Sequence, residues 1–152
     1  MTVFLVRHAK AGSRSRWRGP DDLRPLIKAG RRQAEALVAL LGSEGITRIV
    51  SSPYVRCRQT VEPLGEALRL PVDLADALAE GATVVEALRL IEKVSAESTV
   101  LCSHGDVIGA LLDHFKRGGI PVEGDAFEKG STWALEVEAG AVVSARYLAP
   151  PA

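Results

Sequence analysis

The chain has 152 residues, 47% of them hydrophobic and 25% charged, which suits one folded domain over residues 1–152 with a real core and leaves little room for a second. Lys plus Arg and Asp plus Glu both total 19, so the net charge of zero offers no case for binding nucleic acid or a membrane. The apolar start is too short for a signal-peptide core and no later run approaches a membrane span, which points to a soluble, cytoplasmic protein. Cys57 and Cys102 both lie in apolar or helical surroundings and read as reduced core thiols, not as a disulfide. Charge is unevenly placed: residues 7–32 hold nine Lys or Arg against Asp21 and Asp22, a local excess suited to a small anionic ligand.

Val3 to Val6 form a short apolar run rich in branched residues, the pattern of a buried strand. Residues 9–27 follow as a polar loop with Gly12, Gly19, Pro20 and Pro25, long enough to carry a function. From Lys28 the spacing of Ala34, Leu37, Val38 and Leu41 predicts a helix, stopped by Gly42 or Gly45. Ile46 to Val50 is a second strand. Ser52-Pro53 then predicts a helix start, with Ser52 as N-cap, and Pro63 predicts a break that leaves this helix in two pieces. Thr83 to Glu86 has the form of a capping box before a third helix, Thr99 to Cys102 is a third strand, and Ile108, Leu111, Leu112 and Phe115 mark a fourth helix. After Gly118-Gly119 an irregular stretch leads to two strands, Thr132 to Val137 and Val142 to Tyr147, joined through Ala139-Gly140. Strands alternating with amphipathic helices predict an α/β fold: a three-layer α/β/α sandwich whose mostly parallel sheet gains an antiparallel edge from the final pair.

In such sheets ligands bind beyond the carboxyl ends of the strands. Arg7-His8 follows the first strand, Ser51-Ser52 leads from the second into Arg56, and His104-Gly105 follows the third. His8 and His104 are 96 residues apart (104 − 8), yet this reading brings them to one edge together with Arg7 and Arg56. The constellation suits phosphoryl transfer. A phosphate monoester carries about −1.5 to −2 charges at neutral pH and needs fixed cations, which Arg supplies in a planar fork that keeps its proton. A neutral imidazole, anchored through one nitrogen, attacks with the other. A second, protonated imidazole stabilises the equatorial oxygens, and a carboxylic acid protonates the leaving oxygen and later activates water. No metal or other cofactor is needed, because arginines take its electrostatic place; Asp106 with His104 lacks the ligand density of a metal site, and the arginines would repel a cation.

Three segments, LVRHA, SSPYVRCRQT and CSHGD, occur in order at predicted strand ends and resemble the histidine phosphatase superfamily, to which phosphoglycerate mutases and many phosphatases belong. The resemblance implies a phosphoglycerate mutase-like fold, His8 as phosphoryl acceptor, and a phosphate pocket of Arg7, Arg56 and His104. The short chain and the segment DDLRPLIKAG are similar to small phosphohistidine phosphatases, which makes Arg24 a candidate phosphate contact. The stretch RHAKAGSRSRWRGPDDLRPL also resembles the phosphatase domain fused to Nudix hydrolases, although no Nudix box occurs. Two departures stand out. Ala9 replaces the usual glycine of the RHG motif, and Glu80 is only the best available match to the family's acid. Phosphohistidine substrates would not need that acid, since a phosphoramidate leaving group already departs readily.

Further candidate contacts are Ser51, which helix capping also explains, and Gly105. Trp17, in a loop with Arg14, Arg16 and Arg18, either stacks on a nucleotide base or packs on the body of the protein. His114 and Arg58 read as surface residues, and Thr60, one turn past Arg56, either supports that side chain or packs. The favoured substrates are phosphohistidine proteins or a small phosphorylated molecule. Nucleoside di- or triphosphates are the alternative, as is a non-catalytic phosphate-binding module; a mutase fits less well without long enclosing insertions. The sequence leaves the oligomeric state open.

Overall fold

A computed structural model describes residues 1–151. They run β1 (Thr2–Arg7), a 3-10 turn (Asp21–Leu23), α1 (Lys28–Leu41), β2 (Arg48–Ser51), α2 (Val55–Leu68), β3 (Val72–Leu74), a second 3-10 turn (Asp76–Leu78), α3 (Val84–Val94), β4 (Thr99–Ser103), α4 (Gly105–Arg117), β5 (Val122–Glu123), β6 (Thr132–Glu138) and β7 (Ala141–Leu148). The strands form one sheet in the order β3-β2-β4-β1-β6-β7-β5. β3, β2, β4 and β1 pair in parallel, and the antiparallel pairings are confined to β1–β6 and β6–β7. The predicted α/β sandwich with a mostly parallel sheet is the fold observed.

Alternation along the strands builds two cores. Phe4 and Val6 of β1, with Val100 and Cys102 of β4, pack against Leu37 and Leu41 of α1 and Val61 and Leu64 of α2. Val3, Leu5 and Leu101 point to the other face, against Ile91 of α3 and Ile108, Leu111 and Phe115 of α4. A strand covered by helices on both faces has no solvent side, which explains why β1 and β4 read as unbroken apolar runs. At the far side, Ala139 and Gly140 both adopt positive φ, 50° and 80°, and close the tight β6–β7 hairpin.

Two expectations are corrected. α2 is one continuous helix through Pro63. Proline removes a single helical hydrogen bond there, and the buried side chains on either side, Thr60, Val61 and Leu64, hold both halves to the core. Nor does Ser52 cap α2. The helix begins two residues later than predicted, at Val55 after Tyr54, and the Ser52 hydroxyl is engaged elsewhere. The capping box at Thr83 and Glu86 is present. The sequence reading missed β3 and β5, edge strands of three and two residues whose patterns are too short for any periodicity. No helix among the described residues is long and apolar enough to cross a membrane.

Candidate active site

Sheet register brings the site together. Arg7 of β1 pairs with Ser103 of β4, so the next residues, His8 and His104, leave the sheet side by side. The His8 amide donates to the Ser103 carbonyl at 3.0 Å, and the two imidazoles meet edge to face with centroids 5.5 Å apart. On the other flank Ser51 pairs with Cys102, which delivers Ser52 beneath His104. Two residues 96 apart in sequence thus become neighbours because parallel strands end at one edge.

His8 is buried, at 6% exposure, and its Nδ1 lies 2.7 Å from the Ala9 carbonyl. A carbonyl only accepts, so Nδ1 carries the hydrogen and Nε2 keeps its lone pair. Burial pushes the imidazole down to about 3; the Ala9 carbonyl opposes this, and repulsion from His104, Arg56 and Arg7 adds to it. At neutral pH His8 is an uncharged imidazole with its outer nitrogen free. Ala9, where glycine is usual, is fully buried against Leu26 and Ala34, and its amide donates to Thr60 Oγ1 at 2.9 Å. Thr60 in turn donates to the Arg56 carbonyl, and so ties α2 to the loop that follows His8.

His104 holds its Nε2 2.8 Å from Ser52 Oγ and 3.5 Å from Cys57 Sγ. The Ser52 hydroxyl also accepts from the Tyr54 amide, at 3.2 Å. With Ser52 donating to Nε2, or with the ring doubly protonated, Nδ1 of His104 is a donor. Arg56 is fully buried; it donates to the Asp21 carbonyl at 2.8 Å and to Asp21 Oδ2 at 3.1 Å, with the Tyr54 ring 4.9 Å from its guanidinium. Arg7 donates Nη1 to the Phe127 carbonyl at 2.7 Å. Three nitrogens then stand out. Arg7 Nε, Arg56 Nε and His104 Nδ1 are buried yet have no hydrogen-bond partner among the described residues. Buried donors are ordinarily satisfied, so three of them on the residues around the His8 imidazole make a cradle that can accept an anion.

The remaining candidates divide. Glu80 lines the same cleft of about 370 Å³ as His8 and His104. Its Oε1 accepts from Arg14 at 3.0 Å, and its Oε2 lies 3.6 Å from Arg56. Arg24 also lines the cleft, but its guanidinium is engaged with the Gly12 carbonyl and with Asp21. Gly105 sits directly under Arg7: a Cβ there would lie 2.8 Å from Arg7 Cζ, so only glycine lets the guanidinium lie across the start of α4. Ser51 is fully buried with its hydroxyl spent on the Ser52 carbonyl, and it does not reach the cleft. Trp17 folds over its own loop, with Nε1 on the Pro20 carbonyl at 2.8 Å and its ring against Gly19; it does not line the cleft either.

Sequence reasoning passed over five contributors. Asp21 gathers Arg24 and Arg56; partial burial works against its ionisation, but the two guanidiniums outweigh it and hold its carboxyl below the usual range. Ser52 was assigned to capping, and Tyr54 carried no signal beyond its place beside Arg56. Lys129 lines the cleft from the loop before β6, where nothing in Phe127-Glu128-Lys129-Gly130 distinguishes it. Asp106, set aside as a metal ligand, accepts from the Gly81 amide at 2.8 Å and anchors the turn after Glu80. Among the described residues no group of three or more His, Cys, Asp or Glu is placed to hold a metal ion.

Residues 3–83 match the family model described as histidine phosphatase superfamily (branch 1). Over 99% of its length the chain is 41% identical to a Mycolicibacterium smegmatis protein named 8-oxo-(d)GTP phosphatase, and it spans about half, 48%, of that relative. It is 29% identical to the phosphohistidine phosphatase SixA of Escherichia coli, across 80% of this chain and 78% of that one. The solved structure of the protein histidine phosphatase SixA complexed with tungstate overlays with a TM-score of 0.76 at 22% identity, covering 97% of this chain and 94% of that one, which is a likeness of fold.

Proposed function

The chain belongs to the histidine phosphatase superfamily, branch 1, and on that premise we propose that it is a metal-independent phosphatase in which His8 Nε2 takes up the phosphoryl group. The observation that carries this reading is the set of unpartnered buried donors, Arg7 Nε, Arg56 Nε and His104 Nδ1, around an imidazole held neutral.

The chemistry follows from those positions. A phosphoryl group enters with its equatorial oxygens on the three donors, where fixed dipoles and charges outperform water because they need no reorganisation. Nε2 of His8 attacks phosphorus. The imidazolium charge that develops stays on a ring whose Nδ1–H already faces the Ala9 carbonyl, an acceptor that strengthens as the ring becomes cationic. Glu80, which lines the cleft, protonates an ester leaving oxygen and then takes a proton from the water that cleaves the phosphohistidine. Arg7 and Arg56 supply the positive charge that a divalent cation would otherwise bring.

We read the substrate as a nucleotide bearing more than one phosphate. Support comes from the 41% identity, across 99% of this chain and 48% of the relative, to the protein named 8-oxo-(d)GTP phosphatase, and from Arg14 and Lys129, which also line the cleft. A phosphohistidine protein is the second reading, favoured by the weaker similarity to SixA.

The test is phosphate release in EDTA from a generic aryl phosphate, guanosine diphosphate and triphosphate, and a phosphohistidine peptide, with wild type beside His8→Ala. The proposal expects release that needs His8 and is indifferent to EDTA. Release restored only by a divalent metal contradicts the metal-free mechanism. Folded protein inactive on every substrate points instead to a binding module.

A further inference from the structure

Building on the nucleotide reading, we propose that Lys129 is the specificity residue of this cleft: it takes the penultimate phosphate of the substrate and thereby selects a phosphoanhydride over an isolated phosphate ester.

Lys129 issues from a fixed point beside the nucleophile. The amide of the next residue, Gly130, donates to the carbonyls of both Arg7 and His8 at 3.1 Å. Gln33 Nε2 donates to the Lys129 carbonyl, also at 3.1 Å, and the Ser131 amide closes the turn onto the Glu128 carbonyl at 2.9 Å. The backbone that carries the lysine is therefore bolted to the backbone that carries His8, and its side chain lines the same cleft.

The cations around that cleft have different commitments. Arg14 pairs with Glu80 and Asp21, Arg24 with Asp21, and Arg56 with Asp21 and Glu80. Arg7 belongs to the inner cradle and gives Nη1 to the Phe127 carbonyl. The Lys129 ammonium alone has neither a carboxylate nor a hydrogen-bond partner among the described residues. Its surroundings are also unfavourable to charge: partial desolvation, then repulsion from Arg7, Arg24, Arg14 and Arg56, lowers its pKa. An ammonium left unpaired beside like charges is a cost to the free protein, and an anion arriving at it removes that penalty. One phosphoryl group fills the cradle. The next negative group of a substrate, one bridging oxygen away, would meet Lys129.

The reaction needs such a cation. When His8 Nε2 bonds to the terminal phosphorus of a diphosphate, the bridging P–O bond breaks and its electron pair stays on the bridging oxygen. The departing monophosphate carries that charge away, so it calls for a cation and not for a proton. Water then attacks the phosphohistidine, the N–P pair returns to His8, and the water proton passes through Glu80 to solvent. Diphosphate and water become monophosphate, inorganic phosphate and a proton. A departing monophosphate needs no proton, so on this substrate Glu80, which pairs with Arg14 in the same cleft, acts only in the second step, on the water. A compact, flexible ammonium also fits this position better than a planar fork, since the leaving phosphate moves as the bond breaks.

The experiment measures kcat/KM for guanosine diphosphate and for p-nitrophenyl phosphate, in EDTA, with wild type, Lys129→Ala and Lys129→Arg. Thermal melts confirm that all three are folded. The diphosphate-to-aryl ratio is expected to fall about tenfold or more in Lys129→Ala, as when one partner of a charge pair is truncated, and to recover in large part in Lys129→Arg. Diphosphate turnover with an unchanged ratio in Lys129→Ala overturns the assignment while leaving the nucleotide reading intact. Aryl phosphate turnover with no wild-type turnover of the diphosphate defeats the nucleotide reading and this assignment together.

Discussion

Arg14 donates its Nη2 to Glu80 Oε1 at 3.0 Å, across the mouth of the cleft that holds His8. The pair joins the long loop after β1 to the turn before α3, and both residues line that cleft. Arg14 is mostly exposed, and solvent-exposed pairs of this kind contribute little to folding. Arg14→Ala is therefore expected to change unfolding free energy by less than about 0.5 kcal/mol. Its effect should appear in catalysis, as an altered pH profile for substrates that depend on Glu80. A large loss of stability would show the pair to be structural.

Glu80→Gln separates leaving groups. For an alkyl phosphate, whose leaving oxygen needs a proton, kcat is expected to fall about a hundredfold. The loss should be much smaller for p-nitrophenyl phosphate, whose leaving group departs as an anion. Equal losses on both substrates, measured side by side, would remove Glu80 from the acid role.

Gly105→Ala would put a methyl group 2.8 Å from Arg7 Cζ, so the guanidinium has to move. Turnover is expected to drop about tenfold or more while α4, which tolerates alanine well, keeps its stability. Activity close to wild type, with a crystal structure showing Arg7 in place, would mean that the contact relaxes at no cost to the cradle.

The fold's main elements were legible because β1 and β4 are buried on both faces and α1, α3 and α4 each carry one apolar stripe. The meeting of Arg7, His8 and His104 at one cleft was legible because each lies at or just past a strand end in a recognisable segment. What escaped depended on partners remote in sequence. Ser52 looks like a helix cap until β4 places His104 over it, and Asp21 looks like loop charge until α2 brings Arg56 beneath it. Ser51 and Trp17 had suitable chemistry, but burial spends the first and the loop's own packing holds the second. Lys129 has no local pattern; only the hydrogen bonds of Gly130 to Arg7 and His8 put it beside His8.

The neutral His8 also shapes stability against pH. Its folded-state value of about 3 lies below the ordinary 6.5, so the unfolded chain binds a proton that the folded protein refuses. Stability linked to His8 is complete above about 6.5 and is lost as pH falls toward 3, at up to roughly 1.4 kcal/mol per pH unit. Urea denaturation between pH 6.5 and 4.5 should show a shallower decline in His8→Gln, which cannot titrate. Identical slopes would mean that His8 takes up its proton without unfolding the site.

The central claim is a covalent one, and it is met most directly by trapping. Wild-type protein mixed with substrate in EDTA, quenched in the first turnovers and mapped by mass spectrometry, is expected to carry an acid-labile phosphoryl group on His8. His8→Ala, folded and treated alike, should carry none and release no phosphate. Phosphate release that persists in His8→Ala, or a phosphoryl group trapped on another residue, would contradict the mechanism.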